Sequence, residues 1–94
     1  MAGKIRARHI LVKTENDALE LSYDIKNGKK TFEQAAMEKS LCPSCRKGGD
    51  LGWFGRGQMI REFEHAAFSL QPGEISKPVK TQFGWHLIKI EEKS

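Results

Sequence analysis

The sequence predicts an α+β domain in which helices pack around a four-stranded, mostly antiparallel sheet. Three observations carry that prediction. Residues 5–13 and 84–90 are rich in β-branched residues and alternate with a period of two. Three other segments repeat apolar residues at helical spacing. The stretches between them hold the glycines, prolines and polar residues that turn a chain.

The first strand, residues 5–13, places Ile5, Ala7, His9 and Leu11 on one face. Thr14 follows as a helix cap, with Glu15 and Asp17 in a favourable first turn. Ala18, Leu21 and Ile25 form the buried stripe of that helix, and Asn27-Gly28 stops it. Thr31-Phe32-Glu33-Gln34 matches a capping box and opens a second helix that runs to about Ser40, with Phe32, Ala35 and Ala36 facing inward. Residues 41–50 read as a loop by their proline, glycines and polar residues. Leu51-Gly52-Trp53-Phe54 is a short strand, and Gly55-Arg56-Gly57-Gln58 turns the chain. Residues 61–70 carry Phe63, Ala66, Ala67 and Leu70 at helical spacing, and Gln71-Pro72-Gly73 ends that third helix. Residues 74–79 are read as a strand, with Pro78 at an edge or strand end. The last strand, residues 84–90, puts His86, Ile88 and Ile90 on one face and Trp85, Leu87 and Lys89 on the other.

Ninety-four residues make one core, so residues 1–94 are read as a single domain. With 38% hydrophobic and 30% charged residues, the composition is that of a soluble globular protein. No apolar run approaches the ~20 residues that span a bilayer, so no membrane association is expected. The N-terminal residues lack the apolar core of a signal peptide, which makes the cytoplasm the expected location. The net charge of +4 comes from 16 basic and 12 acidic residues spread along the chain. That spread does not make the concentrated basic patch of a nucleic-acid module.

Two features carry chemistry. His9 and His86 each share a strand face with core aliphatics, so the imidazoles meet if the first and last strands are neighbours. The plainer alternative is two separate hydrogen-bonded core histidines. Cys42-Pro43-Ser44-Cys45 has the C-x-x-C spacing of zinc and thiol-redox sites. No second ligand pair follows for a zinc, and the cysteines come after a helix C-terminus rather than at the N-terminus that activates a thiol. Neither a metal nor another cofactor is expected.

The motifs come in a fixed order. His9-Ile10-Leu11-Val12-Lys13 is followed by Gly48-Gly49-Asp50-Leu51-Gly52-Trp53-Phe54, then by Gly57-Gln58-Met59, Phe63 and Ala67-Phe68. Gly73-Glu74-Ile75-Ser76 and Phe83-Gly84-Trp85-His86-Leu87-Ile88 complete the set. From about Ile5 to Ile90 the chain resembles the parvulin family of peptidyl-prolyl cis/trans isomerases, in its small stand-alone form. The resemblance implies an FKBP-like arrangement of four strands and four helices, one of them a single short turn. It also implies a paired His9 and His86, with Thr81 hydrogen-bonding beside them and Cys42 near the prolyl bond. Leu51, Met59 and Phe63 match the proline-ring pocket, and Phe83 has a supporting place. The activity implied is rotation of X–Pro bonds in other polypeptides, by a monomer and without a covalent step. Phosphate-directed parvulins carry a basic loop after the first strand; here Lys13-Thr14-Glu15 passes straight into the helix. An apolar residue before proline is therefore expected. A binding or chaperone module using the same groove without catalysis is the alternative.

Overall fold

The computed structural model describes residues 3–41 and 47–94. Strand β1 (Lys4–Val12) leads into helices α1 (Glu15–Lys26) and α2 (Phe32–Lys39). Strand β2 (Asp50–Gly55), helix α3 (Arg61–Ser69) and strands β3 (Val79–Thr81) and β4 (Gly84–Lys93) follow. The four strands form one sheet in the order β2-β1-β4-β3, with every neighbouring pair antiparallel. The expected α+β architecture is therefore present. Three α-helices are seen among the described residues, and beyond them only Lys47, at the edge of those residues, stands in a 3-10 turn.

Local chemistry sets the helix ends. Thr14 Oγ1 accepts the Asp17 N–H at the start of α1, and Thr31 exchanges both bonds of a capping box with Gln34 at the start of α2. The sheet is covered on both faces, which is why His86, Leu87 and Ile88 are buried in succession. Ile10, Val12 and Leu87 pack under α1 and α2 against Leu21, Phe32 and Ala36. Ile5, Ala7, Ile88 and Ile90 pack on the opposite face with Phe54 and with Phe63 and Ala67 of α3. Among the described residues no helix is long and apolar enough to cross a membrane.

One strand differs from the sequence expectation. Residues 74–78 run beside β4 through a single bridge, Ile75 to Lys89, and the ladder of β3 begins only at Val79. The Ile88 N–H is taken by the Ser76 hydroxyl at 3.0 Å, and Pro78 has no N–H to donate, so regular pairing is interrupted there. The last strand runs longer than expected, because β4 pairs with β1 as far as Lys93 across a bulge. Arg6 faces Glu92 and Ala7 faces Ile90, which leaves Glu91 as the extra residue.

Gly49 shows how closely the chain approaches β1. Its φ is 85°, its carbonyl accepts the His9 N–H at 3.0 Å, and a Cβ placed there would overlap the His9 carbonyl oxygen. At Gly28, with φ 77°, a Cβ meets only open space. Gly28→Ala is expected to cost about 1–3 kcal/mol of backbone strain, and Gly49→Ala more than Gly28→Ala. Denaturant unfolding of the two variants side by side checks this; equal losses would mean that the close approach to β1 is not felt.

Candidate active site

The register between β1 and β4 brings the two histidines together. His9 sits opposite Ile88 and His86 opposite Leu11, so the imidazoles are diagonal neighbours on the α3 face of the sheet. Their Nδ1 atoms are 3.1 Å apart, and the rings stack at 5.3 Å with 17° between planes. Phe63 stands nearly perpendicular to both, with ring centroids 5.5 Å away in each case. Thr81, at the end of β3, places Oγ1 2.7 Å from His86 Nε2 and accepts the Phe83 N–H at 3.2 Å. The paired reading of the histidines therefore holds, and Thr81 is bonded to that pair.

Both histidines are buried, and burial lowers both pKa values. That of His9 falls from 6.5 to about 4 through desolvation, helped by the neighbouring His86 charge; that of His86 falls through desolvation. At neutral pH two uncharged rings then carry two protons on four nitrogens. One proton lies between the facing Nδ1 atoms, which sets the tautomer of each ring by the direction of that bond. His9 Nε2, at the other end of its ring, is buried and has no hydrogen-bond partner among the described residues.

Above the pair is a cavity of about 420 Å³ with a mostly apolar lining. His9 and His86 line it, as do Leu51, Met59, Phe63 and Phe83, so all four residues expected to hold the substrate are brought to one place. Thr81 braces the histidine pair without lining the cavity. Cys42, expected near the prolyl bond, lies outside the described residues, as does Cys45. Leu51 reaches the cavity through a bulge in β2. Arg6 pairs with Trp53 and Arg8 with Asp50, so Leu51 and Gly52 together span the place of Ala7. Asp50 Oδ1 accepts the Gly52 N–H at 2.8 Å and holds that bulge.

Four further residues line the cavity: Leu11, Leu41, Gln58 and Ile60. Leu11 had a legible signal, since it shares the period-two face of His9. Leu41 had none, because its place depends on a bond from its N–H to Leu11 O at 2.8 Å, across thirty positions of sequence. Gln58 is set by its Oε1, which accepts the Gly55 N–H across the turn before α3. Among the described residues, no group of His, Cys, Asp and Glu side chains is arranged to hold a metal ion. What the arrangement offers is an apolar space over a neutral hydrogen-bonded floor.

The depressed histidine pKa values make stability depend on pH. In the unfolded chain these groups titrate near 6.5, whereas the folded His9 resists protonation down to about 4. The His9 contribution is therefore complete above about 6.5 and is lost as pH falls towards 4, and the lowered His86 adds to it with the same sign. For His9 alone it amounts to roughly 3 kcal/mol. Denaturant midpoints should begin to fall below about pH 6.5, before ordinary carboxylates near pH 4 take part. A midpoint constant from pH 7 to pH 5 would mean that the buried pair does not resist protonation.

Comparison with known proteins agrees with this geometry. Residues 8–92 match the family model for the rotamase, PPIC-type PPIase domain. The chain is 52% identical over 91 residues to the foldase protein PrsA of Geobacillus kaustophilus, covering 96% of this chain and 32% of that one. It superposes on the crystal structure of PrsA from Bacillus subtilis with a TM-score of 0.92 at 53% identity, covering 96% of this chain and 35% of that one. The solution structure of NmPin, the parvulin of Nitrosopumilus maritimus, gives 0.88 at 42% identity, covering 98% and 99% of the two chains. The chain spans about a third of the length of the curated PrsA relatives it matches. By sequence and by structure, the chain belongs to the PPIC-type peptidyl-prolyl isomerase, or parvulin, family.

Proposed function

We propose that this chain accelerates cis/trans rotation of X–Pro bonds in other polypeptides and so assists their folding. The observation that carries this reading is the apolar cavity of Leu51, Met59 and Phe63 set over the neutral His9–His86 pair. Amide resonance opposes rotation with a barrier of ~18–20 kcal/mol, and a free X–Pro bond takes about 10–100 s to turn over. Each ~1.4 kcal/mol removed gives a factor of ten. A cavity that grips the pyrrolidine ring leaves the preceding carbonyl free to swing out of plane. Apolar surroundings disfavour the charge-separated resonance form that gives the C–N bond its double-bond character, so the twisted state is bound better than the planar one. The rotation makes and breaks no covalent bond and so requires no nucleophile. Cys42 is assigned a polarity-tuning role, and Cys42→Ser should keep most of the activity; total loss in a folded variant would return a larger role to the thiol.

The substrate is read as an unphosphorylated proline segment with apolar flanks. Leu41 and Phe83 stand at the cavity with 56% and 61% of their surface exposed, and among the described residues no lysine or arginine lines it. A monomer working in the cytoplasm completes the proposal. Sedimentation as a single 10.7 kDa species tests the first of these, and cell fractionation of the native protein tests the second.

A short Leu–Pro peptide followed by NMR exchange is the direct test. Wild type is expected to speed exchange far beyond the uncatalysed rate. Met59→Ala should remain folded and lose about tenfold or more in kcat/KM. Phosphoserine before proline should bring no gain. If the peptide shifts resonances around His9 and His86 while its exchange stays uncatalysed, the chain is a proline-binding module on a parvulin scaffold.

A further inference from the structure

The connection between α2 and β2 is fastened to β1 at both ends. At its start the Leu41 N–H donates to Leu11 O, and the Leu11 N–H donates to Ser40 Oγ at 3.0 Å. At its end the His9 N–H donates to Gly49 O at 3.0 Å. These bonds extend the edge of β1 that β2 pairs only as far as Arg8.

One side chain reinforces the second attachment from the face opposite the histidines. Arg8 Nε donates to Glu91 Oε1 at 2.7 Å, and its Nη1 donates to the carbonyls of Lys47 at 3.0 Å and Gly48 at 3.2 Å. Glu33 of α2 lies 3.9 Å from Arg8 Nε and 3.8 Å from Lys89 Nζ, which completes a group of two cations and two carboxylates. The Arg8 side chain is 19% exposed. The guanidinium lies so near the backbone that a Cβ on Gly48 would stand 2.9 Å from Nη1. Glu91, the anchoring carboxylate, is the bulged residue of β4. Directly after this clasp Asp50 pairs with Arg8, and the next residue is Leu51 in the cavity wall.

We propose that Arg8 is a positioning residue for the proline cavity: from the far side of the sheet it holds Lys47 and Gly48 against β1 and so sets where Leu51 stands. The proposal takes its substrate from the isomerase reading above. A guanidinium suits the task because its planar fork serves a carboxylate with one arm and two carbonyls with another. A lysine keeps the attraction to Glu91 and Glu33 but presents one compact ammonium, which cannot hold the carboxylate and both carbonyls together.

The test compares wild type, Arg8→Lys, Arg8→Gln and Ile25→Ala, each well below its melting temperature. Ile25 packs against the α1 side of the core and serves as a control for stability alone. A Leu–Pro peptide is titrated by NMR, with the Leu51 methyl resonances and the catalysed exchange rate read from the same samples. Arg8→Lys and Arg8→Gln should bind the peptide about five- to tenfold more weakly. In both, the Leu51 methyls should shift while the maximal exchange rate stays close to wild type. Ile25→Ala should lower the melting temperature without moving either readout. Should Arg8→Gln fail to fold, Arg8→Lys decides. Wild-type affinity with unshifted Leu51 methyls in Arg8→Lys, or equal weakening in Ile25→Ala, overturns the proposal. A wild type that binds the peptide without speeding its exchange overturns the isomerase reading, and the Arg8 comparison still stands on affinity.

Discussion

The antiparallel pairing of β1 with β4 is the constraint on which the rest of the structure depends. It joins the two long central strands, and its register sets Leu11 opposite His86 and Ile88 opposite His9. A slip of one residue in that pairing would turn one strand over relative to the other, parting the imidazoles to opposite faces of the sheet and misplacing the aliphatics that alternate with them. The register is held because both faces are buried: Ile5, Ala7 and Ile88 must lie under α3, while Ile10, Val12 and Leu87 must lie under α1 and α2. The burial that stabilises the fold is therefore the same burial that assembles the histidine pair.

Placing two imidazoles in an apolar layer has a cost that the structure meets by pairing them. An isolated buried polar ring leaves donors and acceptors unsatisfied. Here each ring satisfies one nitrogen of the other, Thr81 takes the far nitrogen of His86, and Phe63 packs its ring against both. The remaining nitrogen, His9 Nε2, has no partner among the described residues. An unsatisfied buried group is tolerated more readily at a functional site than in a core, because selection there acts on chemistry as well as stability.

The cavity walls come from distant parts of the chain, and backbone close to β1 makes that possible. Gly49 runs against the backbone of His9 on one edge of the strand, and Gly84 runs against the Val12 carbonyl on the other. Side chains at either position would push β2 or β4 outward. The bulge at Leu51 and Gly52 turns the edge strand so that Leu51 faces the same space as Met59 at the approach to α3. Phe83, in the turn between β3 and β4, flanks that space.

Much of this was legible in the sequence, for a physical reason. Helix stripes, caps and strand parity depend on residues a few positions apart, so Thr14, the Thr31–Gln34 box and the shared face of His86, Ile88 and Ile90 could be read directly. The order of motifs pointed to the family and to Leu51, Met59, Phe63, Thr81 and Phe83 around the histidines. What the sequence did not determine was non-local. The late start of β3 rests on a side-chain bond from Ser76 to β4, and the place of Leu41 rests on the Leu11 carbonyl. The place of Arg8 rests on the bulge at Glu91, which gives its guanidinium a fixed partner. Periodicity is written in neighbouring residues, whereas register, bulges and cavity walls follow from which distant segments can be buried together, and only the tertiary structure decides that.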